Sequence, residues 1–213
     1  MVSIHSFTFN PLQENTYVLW DESNECIVID PGCYDEEERS ELAGFLAEKK
    51  LTLKFIINTH CHIDHVLGNY FLKEKYKVKL GIHKIEEAVL RAVKVYAPSY
   101  GIFNYQEASP DFFIEPGKDI QFGNSVLEVI FVPGHSPGHV AFFLEKQKIC
   151  ISGDVLFFQS IGRTDLPGGN YQTLLNSIRN ALFPLGDDVK IYPGHGPYTT
   201  IGQEKRSNPF LQN

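Results

Sequence analysis

Two β-sheets packed together and flanked by helices form the fold class this sequence predicts, an α/β chain of the α+β kind. Three observations carry that expectation. Apolar segments with strand periodicity come in groups, with helical segments interspersed, and this disfavours a doubly wound parallel sheet. The chain of 213 residues suits a single domain over 1–213, long enough to bury roughly 70% of the surface its unfolded form exposes. Its 43% hydrophobic and 21% charged residues are ordinary globular composition, and no linker, low-complexity tract or internal repeat interrupts it.

The elements follow in order. Val2–Phe9 alternates, Thr16–Trp20 is rich in β-formers, and Cys26–Ile29 is an apolar run stopped by Asp30-Pro31-Gly32, so three strands are expected. Residues 35–50 change period. An acidic first turn from Asp35 to Glu38 leads to Leu42, Phe45 and Leu46, with Lys49 and Lys50 in the last turn, which predicts a helix. Lys54–Asn58 reads as a buried strand that runs into a loop rich in His and Asp. A helix over Asn69–Tyr76, a strand over Val78–Ile82 and a helix over Lys84–Val95 come next. Residues 96–117, with Pro98, Pro110 and Pro116, read as irregular. Strands return at Ser125–Val132, His139–Leu144 and Lys148–Ile151. A helix near Tyr171–Leu182, a short strand at Val189–Tyr192 and a C-terminal segment complete the chain.

Composition narrows the function. Nineteen Lys and Arg against 26 Asp and Glu give a net charge of −7, the wrong sign for a sequence-independent nucleic-acid binder. No apolar run approaches the roughly 18–20 residues of a membrane span. The N-terminus has neither the basic nor the apolar region of a secretory signal. Cys26, Cys33, Cys61 and Cys150 contain no CxxC pair, and reduced thiols in a cytoplasmic protein are expected.

Chemistry concentrates in His60-Cys61-His62-Ile63-Asp64-His65, directly after a predicted strand. In an extended segment His60 and His62 point the same way and can face one metal ion. A tightening turn after them would redirect Asp64 and His65 toward a second position. One loop cannot complete two four-ligand sites, so further donors should follow other strands. They do: Pro133-Gly134-His135, Ser152-Gly153-Asp154 and Pro193-Gly194-His195 each end an apolar run and deliver a ligand-type side chain. His5 and His83 lie outside any ligand pattern and read as packing residues. His139 reads as a supporting or strand-start residue, and Cys61 should point away from its neighbours into packing. Asp30 is either an orienting partner of a ligand or simple turn chemistry.

HCHIDH followed by PGH, SGD and PGH, in that order and at these intervals, resembles the metallo-β-lactamase superfamily, specifically its short glyoxalase II-like branch. Gly162-Arg163-Thr164-Asp165-Leu166-Pro167-Gly168-Gly169 and the tail from Thr199 to Leu211 carry the resemblance further. It implies a four-layer αββα sandwich with a dinuclear metal site. His60, His62 and His135 would bind the first ion, and Asp64, His65 and His195 the second. Asp154 would bridge both, and Asp64 would carry a catalytic role as well. Ligation by nitrogen and oxygen alone suits Zn²⁺, with Fe and Mn also compatible.

The reaction implied is hydrolysis of a small anionic acyl-thioester such as S-lactoylglutathione by a metal-bridging hydroxide. The excess positive charge of two divalent ions would attract that substrate. Arg163 stands where glutathione-binding enzymes have a Lys-Phe-Tyr run, so it could contact a substrate carboxylate; the alternative is an internal pair with Asp165. The chain ends before the C-terminal helical domain that full-length glyoxalase II carries. Tyr96, Tyr100, Phe103 and Tyr105 could form a lid or pack as an ordinary loop. Two other functions fit the histidines: an iron-dependent persulfide dioxygenase, and a metal-binding module without catalysis. Leu166-Pro167 stands where the dioxygenases carry Phe-Gln after GRTD, which favours the hydrolase.

Overall fold

Strand β1 (Ser3–Phe9) turns through Asn10–Gln13 into β2 (Glu14–Trp20), with Ser3 opposite Trp20 and Phe9 opposite Glu14 in antiparallel register. Asn10 and Gln13 both have positive φ, which turns the chain tightly enough for this pairing. In the computed structural model, which describes residues 1–212, the chain divides into two compact units. The first comprises 1–114 and 121–125, the second 115–120 and the residues from 126 on.

The first unit holds a six-stranded sheet in the order β1-β2-β3-β4-β5-β6. Beyond the hairpin come β3 (Glu25–Ile29), β4 (Thr52–Ile57), β5 (Lys79–His83) and β6 (Phe112–Ile114). β3 pairs antiparallel with β2, and β3 to β6 run parallel. Parallel neighbours need crossovers, and four helices supply them: α1 (Glu36–Glu48), α2 (Ile63–Val66), α3 (Asn69–Tyr76) and α4 (Glu86–Tyr96). Asp35 caps α1 by accepting the Glu38 N–H. Val28, Ile56, Leu80 and Ile82 pack with Leu42, Leu46, Leu72, Leu90 and Val93 in one buried cluster. Fully burying each such side chain contributes roughly 1.5–3 kcal/mol.

The second sheet has the order β14-β13-β10-β9-β8-β7. Its strands are β7 (Ile120–Phe122), β8 (Ser125–Phe131), β9 (Val140–Leu144), β10 (Ile149–Gly153), β13 (Lys190–Pro193) and β14 (Thr199–Thr200). A two-stranded hairpin of β11 (Leu156–Phe157) and β12 (Ser160–Ile161) accompanies it. Helices α5 (Tyr171–Ser177) and α6 (Ile201–Ser207) belong to this unit. Ala141, Phe143, Cys150 and Ile191 pack with Leu174, Ile178, Leu182 and Ile201.

Several expectations need correction. Residues 96–117 are not wholly irregular: a 3-10 turn runs over Ala97–Tyr100, and Phe112–Ile114 forms an edge strand. Three residues between prolines carry little signal, and pairing with β5 decides the strand. The hairpin β11–β12 and strand β7, with two or three residues per strand, carry equally little signal. Lys49 and Lys50 lie beyond α1; Lys49 returns its N–H to the last turn and Lys50 adopts φ 56°. The helix expected near 171–182 is α-helical only to Ser177, then passes into a π-turn over Ile178–Leu182. Among the described residues no helix is long and apolar enough to cross a membrane.

Candidate metal centre

In the first unit, β4 delivers the chain into the motif. His62 is extended (φ −67°, ψ 157°) and α2 begins at the next residue, so the alternating segment and the redirecting turn both form. The rings of His60 and His62 stand 4.7 Å apart at 89°, and those of His60 and His65 are 4.1 Å apart. Cys61 points the other way, into the apolar cluster. Burial pushes its thiol well above the usual range. Its backbone N–H donates to Glu86 Oε2 at 2.8 Å, a carboxylate brought by α4. Asn10 Nδ2 donates to the Asp64 carbonyl at 3.1 Å, and Asn58 Nδ2 to that of His65 at 2.8 Å. Three side chains from outside the loop, Glu86, Asn10 and Asn58, thus fix its backbone.

Asp30 sets the ring orientations. It adopts φ 51° at the end of β3, and its carboxylate accepts the Thr59 N–H at 2.7 Å and the Thr59 hydroxyl at 2.6 Å. Its Oδ2 lies 3.1 Å from His65 Nδ1. Because the Thr59 hydroxyl proton goes to Asp30, His60 Nδ1, 3.0 Å from Thr59 Oγ1, is the donor of that pair. His60 therefore offers Nε2 to a cation. Both possibilities raised for Asp30, ring orientation and turn geometry, hold together. Glu14, fully buried on β2, stands 3.9 Å from His65 Nδ1, and burial pushes its carboxyl well above the ordinary range. A Cβ on Gly32 would fall 2.1 Å from Glu14 Oε2, so only glycine leaves this carboxyl its place.

In the second unit, Gly134 has φ 135° and lies so close to α5 that a Cβ would meet Leu174 N at 2.3 Å. That turn presents His135. Its Nδ1 donates to the Arg163 carbonyl at 2.7 Å, so Nε2 is the ring nitrogen that could face a metal. Asp154 follows β10 beyond a register shift, and its N–H donates to His139 Nε2 at 3.1 Å. His139 is thus a buried support for Asp154. Asp154 Oδ2 lies 3.5 Å from His135 Nε2 and also 3.5 Å from His195 Nε2.

These distances test whether the residues suit a metal. Two donors about 2.0–2.2 Å from one tetrahedral ion are roughly 3.3–3.6 Å apart. Asp154 to each histidine, and Asp64 Oδ2 to His65 Nε2 at 3.6 Å, fall in or at the edge of that window. They fit. The donor set of imidazoles and carboxylates could hold a divalent ion in either unit; Asp30, His60 and His65 also bring donor atoms within 4.8 Å.

Other sequence candidates fall outside. Arg163 directs Nε and Nη2 to both Asp165 oxygens at 2.7 Å, exposed to solvent, and this contact holds the Asp165 carboxyl down to about 2. The internal pair is what the structure contains. His5 stacks on Phe45 at 4.3 Å. Desolvation lowers the pKa of the half-buried His83. Tyr96 and Tyr105 pack against the core, whereas Phe103 is exposed. Glu14, Asn10, Asn58 and Glu86 were not legible in the sequence as supports; only a polar residue within an otherwise apolar buried strand, as at Glu14, gives a local sign.

The family profile of the metallo-beta-lactamase superfamily matches residues 9–195. The hydroxyacylglutathione hydrolase GloC of Haemophilus influenzae is 39% identical over 214 aligned residues, covering 100% of this chain and 99% of its own. The probable metallo-hydrolase YqgX of Bacillus subtilis is 37% identical over 94% of this chain and 93% of its own. Among solved structures, the BLEG-1 B3 metallo-beta-lactamase superposes with a TM-score of 0.90 at 36% identity, covering 99% of this chain and all of its own. TTHA1623 in a di-iron-bound form gives 0.87 at 35% identity, covering 97% and 100%. On the profile, the full-length relatives and the shared architecture, this chain belongs to the metallo-β-lactamase superfamily and has its fold.

Proposed function

We propose that this superfamily hydrolase cleaves a small anionic acyl-thioester, S-lactoylglutathione or a close relative, with two divalent metal ions. The observation that carries the reading is the single Asp154 oxygen, equidistant from His135 and His195. One carboxylate oxygen set between two imidazoles suits a ligand shared by two ions. In this reading His60, His62 and His135 serve one ion, and Asp64, His65 and His195 the other. Asp64 adds a carboxylate beside the reacting groups. The full-length similarity to a hydroxyacylglutathione hydrolase supports the thioester.

When bound, such a pair supplies a water acidified toward neutrality and polarisation of the scissile carbonyl. The chain's own residues hold that chemistry in register. Asp30 and Thr59 keep His60 and His65 in fixed orientation, the Arg163 carbonyl does so for His135, and His139 holds the Asp154 backbone. Preorganised donors of this kind lower the reorganisation cost of the reaction. A thiolate leaving group, with a pKa near 8–9, needs little protonation. Zinc suits the donor set; iron and manganese are the alternatives, and one solved relative is described as di-iron. Four buried cysteines, each a free thiol, support a reducing, cytoplasmic setting. The acidic net charge argues against nucleic acid as partner.

The test is hydrolysis of S-lactoylglutathione by purified protein, followed with metal analysis. Turnover should vanish on stripping with a strong chelator and return with zinc. Turnover that survives complete metal removal overturns the mechanism. Oxygen uptake with glutathione persulfide, without thioester cleavage, would assign the protein to dioxygenases instead.

A further inference from the structure

Helix α1 begins with four acids, Asp35 at its cap and Glu36, Glu37 and Glu38 in its first turn, and carries Arg39 four positions on from Asp35 and three from Glu36. At these spacings opposite charges on a helix ordinarily meet. Here, among the described residues, no carboxylate pairs with Arg39. Its guanidinium lies instead over the ring of Phe71, 5.7 Å from the centroid, which holds the charge away from its helical neighbours. Arg39 Nε is buried with no hydrogen-bond partner, and the Tyr105 hydroxyl is in the same condition. Both residues line one cavity of about 610 Å³ in the first unit, together with Tyr34, Asp35, Glu36 and Asn104. That volume lies within the roughly 300–1,000 Å³ of small-molecule sites.

The charges in this cavity select its ligand. A simple anion would be drawn to Arg39 and repelled by Asp35 and Glu36, and a simple cation would meet the reverse. A ligand that carries both charges a few bonds apart satisfies all three. We infer that the cavity binds the α-amino-acid head of a small molecule, a carboxylate and an ammonium on one carbon. Arg39 and the Tyr105 hydroxyl donate to the carboxylate, a charge-assisted pairing for which guanidinium is well shaped. Asp35 Oδ1 accepts the Glu38 N–H at 2.9 Å, which leaves Oδ2, with the exposed Glu36, for the ammonium. Burial pushes the Tyr105 hydroxyl above its ordinary range, so it remains a donor at neutral pH. The head could arrive as a free amino acid or at the end of a γ-glutamyl peptide; the recognition chemistry is the same.

Calorimetric and amide-NMR titration of the metal-loaded full chain tests this, with L-glutamine and S-methylglutathione as probes. At least one should saturate with a Kd on the order of 1 mM or tighter. Binding of both points to the free amino acid; binding of S-methylglutathione alone points to the peptide-borne head where the amide shifts fall on Tyr34, Asp35, Glu36 and Arg39 of the cavity, and shifts confined to the His60–His65 loop, where the proposed thioester site would take the same probe, overturn the inference. N-acetylation and α-esterification of the bound probe should each weaken it about tenfold, as each removes one charge. Arg39→Gln and Glu36→Gln should each weaken it about fivefold or more; Glu36 is exposed, so that variant stays informative if Arg39→Gln folds poorly. Saturation by neither probe, equal binding of the N-acetylated probe, or unchanged binding in Glu36→Gln overturns the inference. Hydrolysis is not read in this titration, so its outcome and that of the thioester assay are separable.

Discussion

Asp30 Oδ2 stands 3.1 Å from His65 Nδ1, both side chains buried, while the same carboxylate holds Thr59 through its N–H and hydroxyl. One acid at the end of β3 therefore governs two histidines of a loop that follows β4. The partner of a ligating imidazole fixes which nitrogen is protonated and where the other points.

Asp30→Asn isolates the charge, because asparagine also tolerates the left-handed backbone found at this position. The variant should fold, and its affinity for zinc should fall about 10–100-fold, measured by competition with a chromophoric chelator. Unaltered affinity would reduce Asp30 to a turn residue.

Asp154→Asn keeps the shape of the shared side chain and removes its charge. Zinc stoichiometry should fall below two per chain, and kcat should drop far more than KM rises. Two tightly bound ions with near-normal kcat in this variant would refute the sharing of Asp154 and, with it, the dinuclear reading.

Arg163→Ala separates two roles of one residue. Its carbonyl, which accepts from His135 Nδ1, survives the substitution, so metal content should not change. If the guanidinium leaves Asp165 for a substrate carboxylate, KM for S-lactoylglutathione should rise about 3–10-fold, the loss of one exposed charge-assisted contact. A KM equal to that of the parent would leave Arg163 as a brace for its own loop.

Asp21 predicts an acid limb in the stability profile. Burial alone would raise its carboxyl, but hydrogen bonds from the Ser23 and Ser125 hydroxyls and the Ser23 and Asn124 N–H groups outweigh that and hold it near about 2. A depressed folded-state pKa contributes stability that is complete above the unfolded value near 4 and is lost as pH falls toward 2. Asp21→Asn should cost roughly 1–3 kcal/mol at pH 7 and flatten the urea midpoint between about pH 4 and 2. An identical acid limb in parent and variant would exclude Asp21 as its source.

The thiols offer a check on packing alone. Burial pushes Cys26, Cys33 and Cys150 to about 12, and holds Cys61 well above the usual thiol range. Ellman's reagent should therefore find almost no thiol in the native protein and all four after denaturation. Rapid native reaction of any one would mark a local opening of the core.

Local sequence alone determined the strand-ending candidate ligands, because each rests on a short-range rule. Alternation aligns His60 with His62, the tightening at Ile63 turns Asp64 and His65, and Pro-Gly or Gly-Asp at strand ends halts the ladder and frees a side chain. Helix α3 was legible to the residue, since its period and boundaries are local. Tertiary structure decided what those signals cannot contain. Edge strands such as Phe112–Ile114 exist only because a partner strand offers hydrogen bonds. The pairing of Arg163 with Asp165, rather than an open guanidinium, depends on the path of one loop. The tautomers of His60, His65 and His135 depend on acceptors that are distant in the chain for His65 and His135: Asp30 lies 35 positions from His65, and the Arg163 carbonyl 28 from His135. A ligand's identity is a property of its residue type, whereas its orientation belongs to whatever the fold places behind it.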